Sequence, residues 1–300
     1  MTNIIASPSF ESKIIQLFMG LFGMTRAMEK KIVNNSYNKV PASIPKSILK
    51  NLNVDVGDYM ERKVWILSPK NCESNTLILF LHGGAYYANI TRMHWQLIEQ
   101  LLVCTNATLI IPDYPLAPES TCIDTYQFLD TVYSMLTSNF PTKQIVLMGD
   151  SAGGGLALGF AQKIRNEKLK QPEQIILFSP WLDVSMANLE IAKFDKFDKI
   201  LSIKGLKIAG KNYAGELDMT DYRVSPIYGN FTNLGKISIF TGTNDVLCAD
   251  ARKLKQLLES QNINLNYFEY PELFHDWVVL TSLRETKDVL SRINELFVQS

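Results

Sequence analysis

A serine lies between glycines in Gly149-Asp150-Ser151-Ala152-Gly153, which fits the pattern Gly-x-Ser-x-Gly. This motif follows a short apolar run at 144–148 and precedes a stretch rich in Ala, Leu and Gly, so a strand–turn–helix setting is predicted. In such a turn the serine oxygen is exposed on a tight bend, and the flanking backbones come too close for side chains at the glycines. Ser151 is therefore a candidate nucleophile, and an incidental serine in a glycine-rich turn is the alternative.

A serine hydroxyl needs a general base, and the chain has three histidines. His94 lies early in a predicted helix and is expected to be structural or at the surface, while His82 ends a predicted strand. His275 lies between the last predicted strand and the last predicted helix, downstream of Ser151. Where a serine on this kind of turn is activated, an acid and then a histidine follow it along the chain. That order selects His275 as the base.

The histidine needs an acid that orients it, expected on a loop after a strand. Asp245 is the first carboxylate after the predicted strand at 236–240, and it precedes His275 by 30 residues. Asp250 is the nearest competitor, but its position suits the N-cap of the following helix. Asp276 adjoins the histidine and would not easily reach its own neighbour's ring. We therefore predict Asp245 as the acid and keep Asp250 as the alternative.

A second glycine turn, His82-Gly83-Gly84-Ala85, follows the predicted strand at 76–81. Backbone amides in such a turn can point at a developing negative charge without interference from side chains. The helix that begins after the serine offers one further amide. The candidate oxyanion-hole residues are Gly83, Gly84, Ala85 and Ala152. The alternative is a glycine turn that only begins a helix.

Strands and helices that alternate along the chain are predicted to position these residues. Short β-branched or aliphatic runs predict strands at 63–67, 76–81, 108–111, 144–148, 174–178, 236–240 and 266–270. Longer amphipathic stretches predict helices at 91–104, 123–138, 152–167, 250–261 and 282–298. Strands that alternate with helices imply right-handed crossovers and a mostly parallel sheet covered on both faces, which is an α/β fold.

Two segments break this alternation. Residues 1 to about 50 look helical and carry an apolar stripe made of Ile14, Leu17, Phe18, Leu21 and Phe22. Residues from about 186 to 225 carry a second stripe with Phe194, Phe197 and Leu201. We expect both stripes to pack on the core over one end of the sheet, with a substrate lid as a special case. A helix on a membrane surface is the alternative for the first stripe.

Composition limits the partners. The 300 residues are 46% hydrophobic and 20% charged, which is typical of a globular chain. Thirty basic and 30 acidic residues cancel, so no nucleic-acid partner is expected. The apolar run at 14–24 is shorter than the about 20 residues that cross a bilayer and lacks signal-peptide flanks, so no stable membrane insertion is expected. The four scattered cysteines form no metal or disulfide pattern, and a cytoplasmic location is predicted.

From about residue 76 the chain resembles the hormone-sensitive-lipase-like bacterial carboxylesterases among the α/β hydrolases. Besides the two glycine motifs and His275, the resemblance rests on Asp113-Tyr114-Pro115-Leu116-Ala117-Pro118-Glu119, Ser179-Pro180-Trp181-Leu182-Asp183, Ser225-Pro226-Ile227-Tyr228 and Gly242-Thr243-Asn244-Asp245. It implies a triad of Ser151, Asp245 and His275. The family usually has His-Gly-Gly-Gly where this chain has Ala85 as the last residue. The alanine keeps the amide, so the difference bears on substrate breadth more than on catalysis.

The resemblance also implies an α/β-hydrolase domain at 51–300 with an eight-stranded sheet. A helical cap would be built from residues 1–50 and from about 186–225. The implied activity is hydrolysis of esters of small to medium carboxylic acids, with a small-molecule ester as partner and no metal or organic cofactor. Two alternatives stay open: a lipase acting at lipid surfaces, and a non-catalytic ligand-binding protein on the same scaffold. A homodimer is compatible with the sequence.

Overall fold

The computed structural model describes residues 2–4, 7–70 and 74–298. The strands in this part of the chain form one sheet. Its strands are β1 (Thr2–Ile4), β2 (Leu52–Tyr59), β3 (Arg62–Pro69), β4 (Thr76–Leu81), β5 (Thr108–Pro112), β6 (Gln144–Asp150), β7 (Gln174–Phe178), β8 (Lys236–Asn244) and β9 (Leu265–Phe274). Their order across the sheet is β1-β9-β8-β7-β6-β4-β5-β3-β2. The β2–β3 and β3–β5 pairs are antiparallel and the others are parallel. The predicted mostly parallel α/β sheet is therefore confirmed.

The described part of the sheet has nine strands, one more than the resemblance implied. The additional strand is β1, which pairs with β9 and lies in the segment that the sequence pattern assigns to helices. That helical assignment is therefore wrong for residues 2–4. The sequence also fails to predict β2, which turns into β3 at Met60 and Glu61. Both residues have positive φ, in a turn that favours Asn and Gly, so the usual hairpin signal is absent.

Helices cover both faces of the sheet. They are α1 (Phe10–Leu21), α2 (Met24–Val33), α3 (Lys46–Asn51), α4 (Arg92–Thr105), α5 (Cys122–Asn139), α6 (Ser151–Asn166), α7 (Ile191–Asp195), α8 (Ile203–Ala214), α9 (Cys248–Ser260) and α10 (Arg284–Val298). The helices predicted between and after the strands, α4, α5, α6, α9 and α10, begin and end within two residues of the predicted bounds. Short 3₁₀ turns lie at Pro226–Tyr228 and Trp277–Val279.

Side chains of the central strands belong to two hydrophobic cores, because successive side chains along a strand point to opposite faces of the sheet. In β4, Leu77, Leu79 and Leu81 join the core that includes buried residues of α5 and α6. Ile78 and Phe80 join the core that includes buried residues of α4 and α10. The near-continuous apolar runs thus become strands buried on both faces, with their carboxyl ends at one edge of the sheet.

The two segments that break the alternation pack on each other through α2 and α8. The hydroxyl of Ser202, the N-cap of α8, donates to the Glu29 carboxylate of α2 at 2.9 Å. In the second stripe Phe194 and Leu201 are buried, as expected for core packing, while Phe197 is half-exposed.

The first stripe departs from the expectation of core packing. Leu17, Phe18, Leu21 and Phe22 of α1 are each more than half exposed, because the helix turns its other side to the protein. Among the described residues, no helix is both long enough and apolar enough to cross a bilayer.

Candidate active site

Ser151 lies on the turn between β6 and α6, as the motif predicts. Its φ is 50°, in the left-handed region that disfavours residues with a side chain. A Cβ at Gly149 would overlap the carbonyl oxygen of Gly153, and a Cβ at Gly153 would overlap that of Leu81. Close backbone approach therefore requires both glycines, and this is how the sequence makes a sharp bend at the serine.

Three predicted residues from separate loops meet at this bend. His275, after β9, lies with Nε2 2.9 Å from Oγ of Ser151 and with Nδ1 2.8 Å from Oδ2 of Asp245. The other oxygen of Asp245 accepts the Leu247 amide at 2.8 Å, which holds the carboxylate in place. All three predicted residues are at most 5% exposed. The arrangement can transfer the serine proton to a histidine whose ring is oriented by a carboxylate.

The surroundings of His275 favour its protonated form. Burial alone would lower the pKa of the imidazole, but the charge and hydrogen bond of Asp245, aided by Asp276 and Asp198, raise the pKa to about 9. A base with a raised pKa holds a proton more firmly once it has taken it from the serine.

Asp198 is a site residue that sequence reasoning missed. It lies between α7 and α8, is 6% exposed, and accepts the Val246 amide at 3.0 Å and the Leu201 amide at 2.9 Å. Burial, and then the charge of Asp245, raise the pKa of Asp198 to about 6. The carboxylate thus joins the segment at 186–225 to the loop that carries Asp245. No local motif in the sequence indicates this contact.

The prediction that Gly83 contributes to the oxyanion hole needs correction. Its amide donates to Oδ2 of Asp150 at 2.8 Å and is therefore not available to a substrate oxygen. A Cβ at Gly83 would overlap the same carboxylate oxygen, which explains the glycine. Gly83 anchors the loop, and it does not line the hole.

The other predicted donors remain available. Gly84 and Ala85 have φ of 119° and 55°, and among the described residues neither amide has an acceptor. Ala152 lies in the first turn of α6, where helix amides lack a partner four residues earlier. Ala85 adopts a left-handed conformation in which glycine is usual, so the substitution noted in the sequence keeps the amide in place at the expense of some backbone strain.

His82 is structural. Its ring stacks on Tyr114 with 4.4 Å between centroids, and the Tyr114 hydroxyl donates to the His82 carbonyl at 2.6 Å. Burial is the main cause that lowers the pKa of His82 to about 4, which keeps the ring neutral. The Asp113-Tyr114-Pro115 segment therefore supports the glycine loop from behind.

A buried network of charged groups lies behind the same loop. Nε2 of His94 lies 3.1 Å from Oδ2 of Asp150, so this histidine is structural and buried. Burial opposes the charge of Asp150, but His94 and a hydrogen bond from Asp276 hold the pKa of its carboxyl below the ordinary value. Burial and the charge of Asp150 raise the pKa of Asp276 well above its ordinary value. Of the two carboxyls, Asp276 is therefore the one that takes up a proton more readily.

These three residues also have metal-ligand chemistry. Ligand-type atoms of His94, Asp150 and Asp276 lie within 4.8 Å of one another. However, Oδ2 of Asp150 already accepts the Gly83 amide and lies 3.1 Å from Nε2 of His94. Hydrogen bonds within the protein therefore already use this oxygen. The sequence did not predict this network because His94 lies 56 residues before Asp150 and Asp276 lies 126 residues after it.

Asp250 does not cap α9 as the sequence suggests. The helix begins at Cys248, and the N-cap is Leu247, so Asp250 lies inside the first turn. Its buried carboxylate accepts the Asn188 amide group at 2.8 Å. The alternative of Asp250 as the acid is not supported, because the His275 ring contacts Asp245.

A family model and several curated relatives match this chain. A family model described as the alpha/beta hydrolase fold matches residues 78–279. An esterase of Acinetobacter venetianus is 28% identical over 222 residues, covering 73% of both chains. An acetyl-hydrolase of Streptomyces hygroscopicus is 29% identical over 232 residues, covering 76% of this chain and 77% of the relative.

A solved structure of an esterase from the bacterial hormone-sensitive lipase family has a TM-score of 0.81 and 20% identity, and it covers 97% of this chain and 98% of that chain. At this identity the likeness shows a shared fold. Because the family model matches two thirds of the sequence and includes both the serine turn and the predicted acid, the chain belongs to the α/β hydrolase family.

Proposed function

We propose that the protein is a serine carboxylesterase that hydrolyses esters of small to medium carboxylic acids. The observation that carries the proposal is His275, which bridges Oγ of Ser151 and Oδ2 of Asp245 at 2.9 and 2.8 Å. The family membership, and relatives named esterase and acetyl-hydrolase, support the same activity.

The proposed reaction begins with nucleophilic attack. Ser151 Oγ attacks the ester carbonyl while His275 Nε2 takes the hydroxyl proton, and a tetrahedral oxyanion forms. His275 then gives the proton to the leaving alcohol, and an acyl-enzyme remains. Water attacks this acyl group with His275 again as base, which releases the acid and restores the serine. Asp245 holds the ring tautomer and stabilises the imidazolium.

The amides of Gly84, Ala85 and Ala152 are the proposed oxyanion donors. Amides held by a rigid backbone need no reorganisation when the charge develops. Gly83 and Asp150 keep the loop in place from behind through the 2.8 Å hydrogen bond. Removal of one such donor typically costs about 3 kcal/mol of transition-state stabilisation.

Aromatic rings beside the loop support a small acyl group. Tyr86, which directly follows Ala85, is 1% exposed and stacks on Tyr213 with 3.5 Å between ring centroids and on Trp181 with 5.6 Å. The proposal places these packed rings at one wall of the acyl site, where they would leave little space for a long chain. The proposal therefore favours short acyl chains.

A lipase that acts at lipid surfaces is the second candidate. The exposed apolar side chains of α1 favour it, since a surface-active enzyme needs such a face.

The free thiols of Cys104, Cys122 and Cys248 support the proposed cytoplasmic location; Cys72 lies outside the described residues. A role of residues 1–50 and 186–225 as a cap, and a homodimer, remain proposals that substrate-bound structures and sedimentation analysis would test.

The activity is tested with p-nitrophenyl acetate and two serine variants. Ser151→Ala should lose at least about 10³-fold in kcat, since it lacks the nucleophile. Ser134→Ala, which changes an exposed serine on α5, should keep the wild-type rate. Equal turnover by Ser151→Ala and wild type would contradict the proposal.

A further inference from the structure

Helix α1 presents an apolar ridge to solvent. The ridge consists of Phe10, Leu17, Phe18, Leu21 and Phe22, which are 75%, 62%, 51%, 71% and 78% exposed. Phe18 and Phe22 stack on each other with 6.2 Å between ring centroids. Single exposed apolar residues are ordinary, but five large ones along one short helix and its C-cap residue, Phe22, indicate an interaction surface.

The opposite side of α1 attaches the helix through polar groups. The Gln16 side chain donates to the Glu272 carbonyl at 2.7 Å and accepts from the Asn244 side chain at 2.9 Å. Ser12 is fully buried, and the Ser9 hydroxyl donates to Glu285 at 3.0 Å. Together with the half-buried Ile15 and Met19, these contacts fix which side faces the protein. The helix thus turns most of its large apolar side chains outward, the reverse of the usual orientation.

Basic residues flank the ridge. Residues 10–33 and 191–211 together carry ten Lys or Arg and four Asp or Glu, although the whole chain has 30 of each charge. Lys199 lies against α1, with its Cδ 3.5 Å from the position of a Cβ added at Gly20. One of the four acids, Glu29, is neutralised by Lys204 at 2.9 Å. These two segments therefore carry more positive than negative charge, although Lys13 pairs with Glu272 and Lys193 with Glu190.

We propose that the α1 ridge docks the protein onto the surface of an anionic phospholipid bilayer. Helix α1 lies in the plane of the interface, the ridge enters the boundary between headgroups and acyl chains, and the flanking lysines contact lipid phosphates. A second copy of this chain is a poorer occupant, since a symmetric contact through the ridge would bring two positive surfaces together.

Docking would bring the active site to the lipid. Gln16 of α1 is bonded to Asn244, the neighbour of Asp245, and a groove of about 540 Å³ beside it is lined by Phe194, Phe197, Thr243 and Arg252, among others. The acid loop and the docking face are therefore adjacent. The docking itself does not depend on the proposed catalysis, because no ridge residue belongs to the proposed triad.

Flotation with vesicles tests the docking. The full chain is mixed with phosphatidylcholine vesicles with or without phosphatidylglycerol, and the bound fraction is measured at low and high salt. Wild type and Ser151→Ala should bind the anionic vesicles equally, and salt should weaken both. The affinity of Phe18→Ser/Phe22→Ser for the anionic vesicles should be at least about tenfold lower. The matched control, Val103→Ser/Leu169→Ser, changes two exposed apolar residues outside α1 and should bind like wild type.

A second variant isolates the charge. Arg26→Gln/Lys199→Gln should lower anionic-vesicle binding by about fivefold per charge removed. The melting temperature of each variant shows that the fold is kept. Absence of wild-type binding, or equal binding by wild type and Phe18→Ser/Phe22→Ser, would overturn the proposal. So would a wild-type dimer that Phe18→Ser/Phe22→Ser converts to a monomer without any loss of vesicle binding.

Discussion

At the residue scale, the proposed reaction depends on the protonation state of His275. The imidazole must be neutral to take the serine proton. Burial opposes its charge, but Asp245, Asp276 and Asp198 raise the pKa to about 9. The fraction of enzyme with a neutral base therefore rises as pH increases through this raised value.

We expect kcat/KM to increase with pH, and the apparent pKa of this acid limb should lie between 6.5 and about 9. The measurement is the pH dependence of kcat/KM with a p-nitrophenyl ester. Asp245→Asn should lower kcat by about 10⁴-fold and shift the limb downwards, because the ring loses its orienting charge and burial then dominates. A limb below pH 6.5 in the wild type would contradict this assignment.

Two neighbouring carboxyls should respond differently to the same substitution. The raised pKa of Asp276 makes this carboxyl the more readily protonated of the two, so the neutral replacement Asp276→Asn should cost less than about 1 kcal/mol of unfolding free energy. Asp150 is the carboxylate that faces His94 and the Gly83 amide, so Asp150→Asn should cost about 3 kcal/mol. Urea denaturation measures both values. Equal losses would contradict this difference between the two carboxyls.

At the element scale, close packing of β6, α6 and β4 fixes the serine turn. Gly153→Ala places a Cβ against the carbonyl oxygen of Leu81, so the turn must open, and we expect a loss of about 3 kcal/mol. Gly20→Ala is the matched control. Its Cβ meets only Lys199 at 3.5 Å, and alanine favours the helix, so stability should rise by about 0.5 kcal/mol. Thermal unfolding compares the two variants, and a stable, active Gly153→Ala protein would refute the packing argument.

The sequence predicts those elements whose signals are local. Gly149 and Gly153 lie within one motif beside a buried strand, so the turn, its serine and the helix after it follow from about 20 residues. The order of acid and histidine then selects Asp245 and His275, which the structure brings together.

Other features depend on distant contacts and could not be predicted in this way. The Gly83 amide points to Asp150, 67 residues later, and a glycine motif alone does not give the direction of each amide. Periodicity shows that α1 has an apolar side, but which side faces the protein is set by partners such as Glu272 and Asn244. The sequence does not predict β2, because the turn between β2 and β3 has Met60 and Glu61 in place of the residues that favour positive φ.

At the scale of the whole molecule, the sheet supplies the triad, and the segments at 1–50 and 186–225 come close to it. Asp198 connects the second segment to the acid loop, and α2 packs on α8. In the proposed function, the stacked rings of Tyr86 and Tyr213, which follow the oxyanion loop in the chain, would limit the size of the acyl group.

We expect p-nitrophenyl esters of two to four acyl carbons to be hydrolysed at least about tenfold faster, by kcat/KM, than those of 12 to 16, since the packed rings of Tyr86 and Tyr213 would leave little room for a longer chain. The series is measured in detergent-free solution and again with anionic vesicles. If long-chain esters were preferred under both conditions, the lipase alternative would replace the short-chain esterase.

The proposed function requires that His275 activates the Ser151 hydroxyl. Mass spectrometry of the intact protein after reaction with a fluorophosphonate, followed by peptide mapping, measures this activation. We expect one adduct per chain, located on Ser151, formed at least about 10³-fold more slowly in His275→Ala. An unlabelled Ser151, or labelling at the same rate without His275, would contradict it.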